Sequence, residues 1–114
     1  MTVSIELHNE FKRKFKRLFK KYRSLRNDLQ TLRVSLEENP LQGADLGMGG
    51  AHKVRMAIMS KGGGKSGGAR VITYVVTATA PDDYMVTLLT IYDKSEMENV
   101  SDEYIKSLID EANK

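Results

Sequence analysis

Five side chains in the second half of the sequence have types and spacings suited to a phosphodiester: Lys53, Arg55, Arg70, Tyr92 and Lys94. Lys53 and Arg55 are two residues apart, so an extended chain carries them on one face. Arg70 opens a β-prone run on the same parity as Ile72 and Tyr74, and Tyr92 and Lys94 share parity at the end of another run. Three or four cations converging in a groove would hold a phosphate and stabilise the extra charge of a pentacovalent transition state. A tyrosine beside them would stack on a base or relay a proton. Dispersed over separate faces, the same residues would only confer solubility.

Other chemistries find less support. Gly64-Lys65-Ser66 resembles the end of a P-loop, but Met59 stands where that pattern needs a glycine, and a strand follows Ser66 where it needs a helix. The segment SKGGGKSGGA at 60–69 reads instead as a long flexible loop whose Lys61 and Lys65 are candidates for phosphate contact. No cysteine is present, which excludes disulfides, thiolate metal sites and cysteine nucleophiles. His8 and His52 share no ligand spacing with acids, and His52 reads as a surface histidine. Asp82-Asp83 is what a turn alone would contain, and Glu96 and Glu98 belong to an acidic tail. Neither a metal nor any other cofactor is expected.

The elements that must position the five residues are legible from periodicity. Residues 3–7 alternate, with Val3, Ile5 and Leu7 on one side of a short strand. Phe11, Phe15, Leu18, Phe19 and Tyr22 recur at helical spacing, giving a helix over 10–21 capped by Asn9. Leu25, Leu29, Leu32 and Leu36 stripe a second helix, capped by Ser24 and ended by Asn39-Pro40. Residues 41–51, with four glycines, read as a loop. KVRMAIM at 53–59 alternates Val54, Met56 and Ile58 against the cations, and RVITYVVTA at 70–78 can be buried on both sides. A turn at 80–83 leads to the strand YMVTLLTIY at 84–92. Ser101 caps a last helix, with Val100 and Ile105 in staple positions. The order β-α-α-β-β-β-α predicts one α+β domain over 1–114. Its small antiparallel sheet is a three-strand meander with the first strand at an edge. The helices are expected on one side, leaving the other partly open.

Charge is segregated. Residues 9–26 hold nine Lys/Arg against Glu10, and residues 81–114 hold nine acids against three lysines. This favours an anionic partner on one surface, an acidic tail laid across basic helices, or both. The basic helical cluster is either a solvated face or a contact for nucleic acid or an acidic protein. No stretch approaches the ~20 apolar residues of a bilayer span, and MTVSIELHNE lacks the apolar core of a secretory signal. A cytoplasmic protein without membrane contact is expected.

Three segments carry a family resemblance: LEENPLQGADLGMGGAHKVRMAI, KGGGKSGGARVITY, and LLTIYDKSEMENVS before a final helix. With them the chain resembles the RelE/ParE superfamily of toxins from type II toxin–antitoxin systems, particularly the phage-derived Gp49-like and HigB-like branch. The resemblance implies a RelE-like fold and a metal-independent endoribonuclease that cuts mRNA on the ribosome by attack of the ribose 2′-oxygen on the adjacent phosphate. It also implies a cognate antitoxin that neutralises the toxin. The family's paired basic positions fall on Lys53 and Arg55, the arginine of its middle strand on Arg70, and its basic residue after the last strand on Lys94, where the best-known branch has arginine. The family's C-terminal tyrosine has no clean match, because Tyr104 lies inside the last helix. Two alternatives remain open: a ParE-like inhibitor of DNA gyrase that is not an enzyme, and an inactive toxin-like binding module.

Overall fold

Alternating strands at the sheet margins and a continuous apolar run at its centre lay out the fold seen in a computed structural model, which describes residues 1–77, 80 and 82–114. The elements in chain order are β1 (Thr2–Leu7), α1 (Asn9–Lys21), α2 (Leu25–Glu38), β2 (Ala44–Asp45), β3 (Ala51–Met56), β4 (Ala69–Thr77), β5 (Asp83–Asp93) and α3 (Asp102–Ala112). Strand β4 is buried along most of its length, as the run of apolar and β-branched residues after Arg70 requires. The expected strand end at residue 78, and residue 81 of the expected turn, lie outside the described residues.

The sheet has five strands in the order β1-β5-β4-β3-β2. Strands β3, β4 and β5 form the antiparallel meander. Strand β1 joins the edge as expected, but it runs parallel to β5, from Thr2 opposite Asp83 to Leu7 opposite Leu88. The sheet is therefore mixed. A two-residue strand also forms inside the segment read as a loop, with Ala44 opposite Lys53 and Asp45 opposite His52.

Two helical layers cover the sheet, where the sequence suggests one. Helices α1 and α2 seat Phe11, Leu18, Leu25 and Leu36 against Val54, Val71 and Leu88 on the first face. Helix α3 crosses to the second face and packs Ile105, Leu108 and Ile109 against Ile72 and Leu89. Its narrow apolar stripe can bury only against a sheet face, and the first face is already taken. The part of the second face that α3 leaves uncovered is the cationic end.

A β-bulge decides which residues reach that end. Ile72 pairs with Thr90 but Thr73 pairs with Leu88, so Leu89 is an extra residue in β5. The extra residue reverses the side-chain alternation beyond it. Val86 and Leu88 face α1 and α2, whereas Thr90 and Tyr92 face the α3 side.

The caps differ in part from expectation. His8, not Asn9, caps α1: the chain leaves β1 extended, and the His8 Nδ1 accepts from the Glu10 N–H at 2.9 Å. Ser24 occupies its cap position in a helical conformation and makes no capping bond. Its hydroxyl instead donates to Asp28 (2.6 Å) and accepts from the Ser60 N–H (2.9 Å), tying α2 to the glycine loop. Ser101 caps α3 as expected, accepting from the Tyr104 N–H at 3.1 Å. His52 is buried, not on the surface, and its Nδ1 lies 3.1 Å from the Gly50 carbonyl.

Candidate functional site

Three strands contribute one cross-strand row to the open end of the second face: Arg55 on β3, Arg70 on β4 and Tyr92 on β5 are successive register partners. Directly opposed residues project to the same side of a sheet. Lys53 begins the next row, opposite Ile72. Where this face meets the loops lies a groove of about 450 Å³ whose lining includes Lys53, Arg55, Lys65, Arg70 and Lys94. Four of the five residues singled out in the sequence thus share one concavity, and Lys65 of the glycine loop joins them. Tyr92 and Lys61 do not.

Lys53 is half-buried, and Arg55, Lys65 and Lys94 are exposed. Arg70 is only 4% exposed. Its Nη1 donates to the Lys65 and Ala69 carbonyls, both at 3.1 Å, and its Nη2 to the Ser66 carbonyl at 3.0 Å. Lys94 is held at its backbone, where its N–H donates to the Gly68 carbonyl at 3.1 Å. Lys53, Arg55, Lys65 and Lys94 around one groove, with the buried Arg70 charge beside them, generate a positive potential that attracts a polyanion. The groove lining also includes one carboxylate, Glu98. Sequence reading placed Glu98 with the acidic tail, and no periodicity marks it, because it lies in the irregular stretch between β5 and α3.

Tyr92 projects to the same face as Arg70 but does not line the groove. It is 5% exposed, and its hydroxyl has no hydrogen-bond partner among the described residues. Burial pushes its phenol above the ordinary tyrosine value, and the nearby Arg70 charge works against that shift. The ring contributes instead to a second hollow, of about 330 Å³, between α1, the end of β5 and the start of α3. Tyr104 lines the same hollow and is bonded within it: its hydroxyl lies 3.0 Å from Thr90 Oγ1 and donates to the Glu10 carboxylate. Burial and the Glu10 carboxylate push the Tyr104 phenol up to about 12.

Lys61 is turned away from the groove. Its ammonium lies 2.7 Å from Asp93 Oδ1 and 3.0 Å from Ser95 Oγ. Asp93 is fully buried. Burial acts to raise its carboxyl, but donors from Lys61, Tyr22 and Ser95 outweigh it and hold the group well below the usual carboxylate range. Lys61 is thereby a structural partner of the last strand.

Of the nine bases at residues 9–26, Arg17 meets Glu96 at 3.5 Å and Arg13 meets Glu10; among the described residues no other ion pair involves them. The acidic C-terminal segment therefore neutralises little of the basic helical layer. Among the described residues no group of three His, Cys, Asp or Glu side chains is placed to hold a metal ion. No described helix is long and apolar enough to cross a membrane.

No protein-family model matches the chain. A solved structure does match in shape: the Escherichia coli toxin RelE in its free state, a variant with two arginines replaced by alanine. The superposition gives a TM-score of 0.61 at 13% identity and covers 97% of this chain and 98% of that one. The fold is RelE-like. That likeness covers nearly the whole chain and agrees with the α+β class expected from the sequence.

Proposed function

We propose that this protein is a RelE-like toxin, related to the HigB-like branch, that cleaves mRNA on the ribosome and is neutralised by a cognate antitoxin in the cytoplasm. The observation that carries the reading is the convergence of Lys53, Arg55, Lys65 and Lys94 around the buried Arg70 in one groove. The fold likeness to RelE and the sequence resemblance support it.

In this mechanism the ribose 2′-oxygen attacks the adjacent phosphorus, its proton passes to a base, and the bond to the 5′-oxygen breaks as that oxygen takes up a proton from water. The products are a 2′,3′-cyclic phosphate and a 5′-hydroxyl. Lys53 and Arg55 orient the phosphate, and Lys94 faces the charge that develops on its oxygens. Arg70 adds its charge from its buried place in the groove lining. Glu98, the carboxylate in the groove lining, is the group proposed to receive the 2′-hydroxyl proton. Tyr92 is an indirect participant, because its hydroxyl is buried.

The test is a translation-coupled cleavage assay comparing wild type with Arg55→Ala and Glu98→Gln. Wild type is expected to cut ribosome-bound message, and both variants to cut it slowly. Accumulation of covalent gyrase–DNA complexes without message cleavage would instead establish the ParE-like reading. Cleavage untouched by either substitution would move the site elsewhere while leaving the activity in place.

A further inference from the structure

Arg70 is the most deeply buried cation of the groove, and its hydrogen bonds point to the loop rather than to open solvent. Both hydrogens of Nη1 are committed, to the Lys65 and Ala69 carbonyls, and Nη2 holds the Ser66 carbonyl. A forked contact with a phosphate that used Nη1 would require breaking these bonds.

The other hydrogen bonds within the middle of that loop are long, from the Gly68 N–H to the Lys65 carbonyl at 3.4 Å and from the Ser66 hydroxyl to the Gly63 carbonyl at 3.5 Å. Gly62, Gly63 and Gly64 take left-handed φ values of 79°, 79° and 64°, and an added Cβ at any of them meets nothing within 4 Å. Its ends are tied: Lys61 to Asp93, and Gly68 against the backbone of β3, where an added Cβ would stand 2.2 Å from the Met56 carbonyl oxygen. Between those ties, the Arg70 guanidinium grips two consecutive carbonyls, those of Lys65 and Ser66. Lys65 is the residue by which this loop lines the groove.

We infer that Arg70 is a positioning residue whose guanidinium fixes the 65–66 backbone, so that the Lys65 ammonium and not the Arg70 fork meets the phosphodiester. The inference rests on the proposed RNA-binding role of the groove for its ligand, but its geometric half concerns the free protein. A preorganised lysine on a glycine loop loses less freedom on binding than a lysine on a mobile one. Arginine suits the task because its planar fork reaches more than one carbonyl. Lysine at the same position would keep the charge and lose the grip.

Two measurements on the full chain decide it. Backbone ¹⁵N order parameters at residues 63–67 of the ligand-free protein should fall from roughly 0.8 to below about 0.6 in both Arg70→Lys and Arg70→Gln. Unchanged order parameters overturn the inference, and Arg70→Lys preserves the test should Arg70→Gln fail to fold. The second measurement is a double-mutant cycle on affinity for a short single-stranded RNA made uncleavable by 2′-O-methylation. If Arg70 acts through Lys65, the Arg70→Lys, Lys65→Gln double variant binds no more weakly than Lys65→Gln alone. Multiplying losses mean that Arg70 touches the phosphate itself, and the inference is then wrong. Should wild type bind no RNA at all, the nuclease reading falls, while the order parameters still report whether Arg70 holds the loop.

Discussion

Lys61 and Asp93 form an ion pair of 2.7 Å that fastens the start of the glycine loop to the end of the last strand. The carboxylate is fully buried and also receives the Tyr22 hydroxyl and the Ser95 N–H and hydroxyl. Removing one partner of such a pair strands the other group's charge. Asp93→Asn should cost about 3–5 kcal/mol in urea unfolding, far more than an exposed ion pair would.

The same group sets an acid limit on stability. Its folded-state pKa is depressed below the ordinary 3.8, so its contribution is fully present above that value and is lost as pH falls towards the folded value. Wild-type unfolding free energy should therefore decline progressively below about pH 5. The decline should be shallower in Asp93→Asn. Equal slopes in the two proteins would assign the acid sensitivity to other carboxylates.

Tyr92 carries a buried hydroxyl with no partner among the described residues, a group whose desolvation costs roughly 1–3 kcal/mol. Tyr92→Phe removes that cost and keeps the ring. It should leave the protein as stable or up to about 2 kcal/mol more stable in thermal unfolding, with message cleavage changed by less than about threefold. A large loss of cleavage with unchanged stability would instead make the hydroxyl a proton carrier, exposed only when RNA is bound.

Lys94 supplies a point charge where a guanidinium would supply a fork. Lys94→Arg should increase cleavage by a factor of about 3–10, because bidentate charge-assisted bonds to phosphate are stronger. Lys94→Gln should slow it and flatten the dependence of RNA affinity on salt by about 0.7 in logarithmic slope, the contribution of one single-strand phosphate contact.

Glycines of the loop are not equivalent. At Gly68 a methyl group would collide with the Met56 carbonyl oxygen at 2.2 Å and stand 3.0 Å from the Ala57 Cα. Gly68→Ala should cost about 1–3 kcal/mol and broaden β3 and β4 resonances. Gly63 has open space around it, so Gly63→Ala should cost only the left-handed backbone penalty of about 1–2 kcal/mol and leave those strands unmoved.

Much of this site was legible before any coordinates, for a simple reason. A strand has period two, so KVRM alone puts Lys53 and Arg55 on one face and Val54 and Met56 on the other. What could not be read depended on events that leave no local pattern. The bulge at Leu89 reverses the parity of β5, and an apolar residue there fits either register. Burial of Arg70 under loop carbonyls, capture of Lys61 by Asp93, and the entry of Glu98 into the groove are all tertiary. Helix α3 was recognisable from its cap and stripe, but the face it would cover depended on where α1 and α2 had already packed. His8 displaced Asn9 as a cap because the exit from β1 left it extended at the turn, whereas Asn9 is already in the helix.

The parallel pairing of β1 with β5 also orders events during synthesis. Strand β1 leaves the ribosome well before its partner, since Thr2–Leu7 pairs with Asp83–Leu88. Until then α1 and α2 have no completed sheet against which to bury Phe11, Leu18 and Leu25. Such long-range closure is slow relative to local structure and leaves apolar surface open in the meantime. The groove draws on β3, β4 and the segment after β5, so it too is assembled only once that segment has been made. Until Lys94 and Glu98 have been made the chain cannot present its assembled cationic groove, and a partner that recognises the finished groove has no target on a shorter nascent polypeptide.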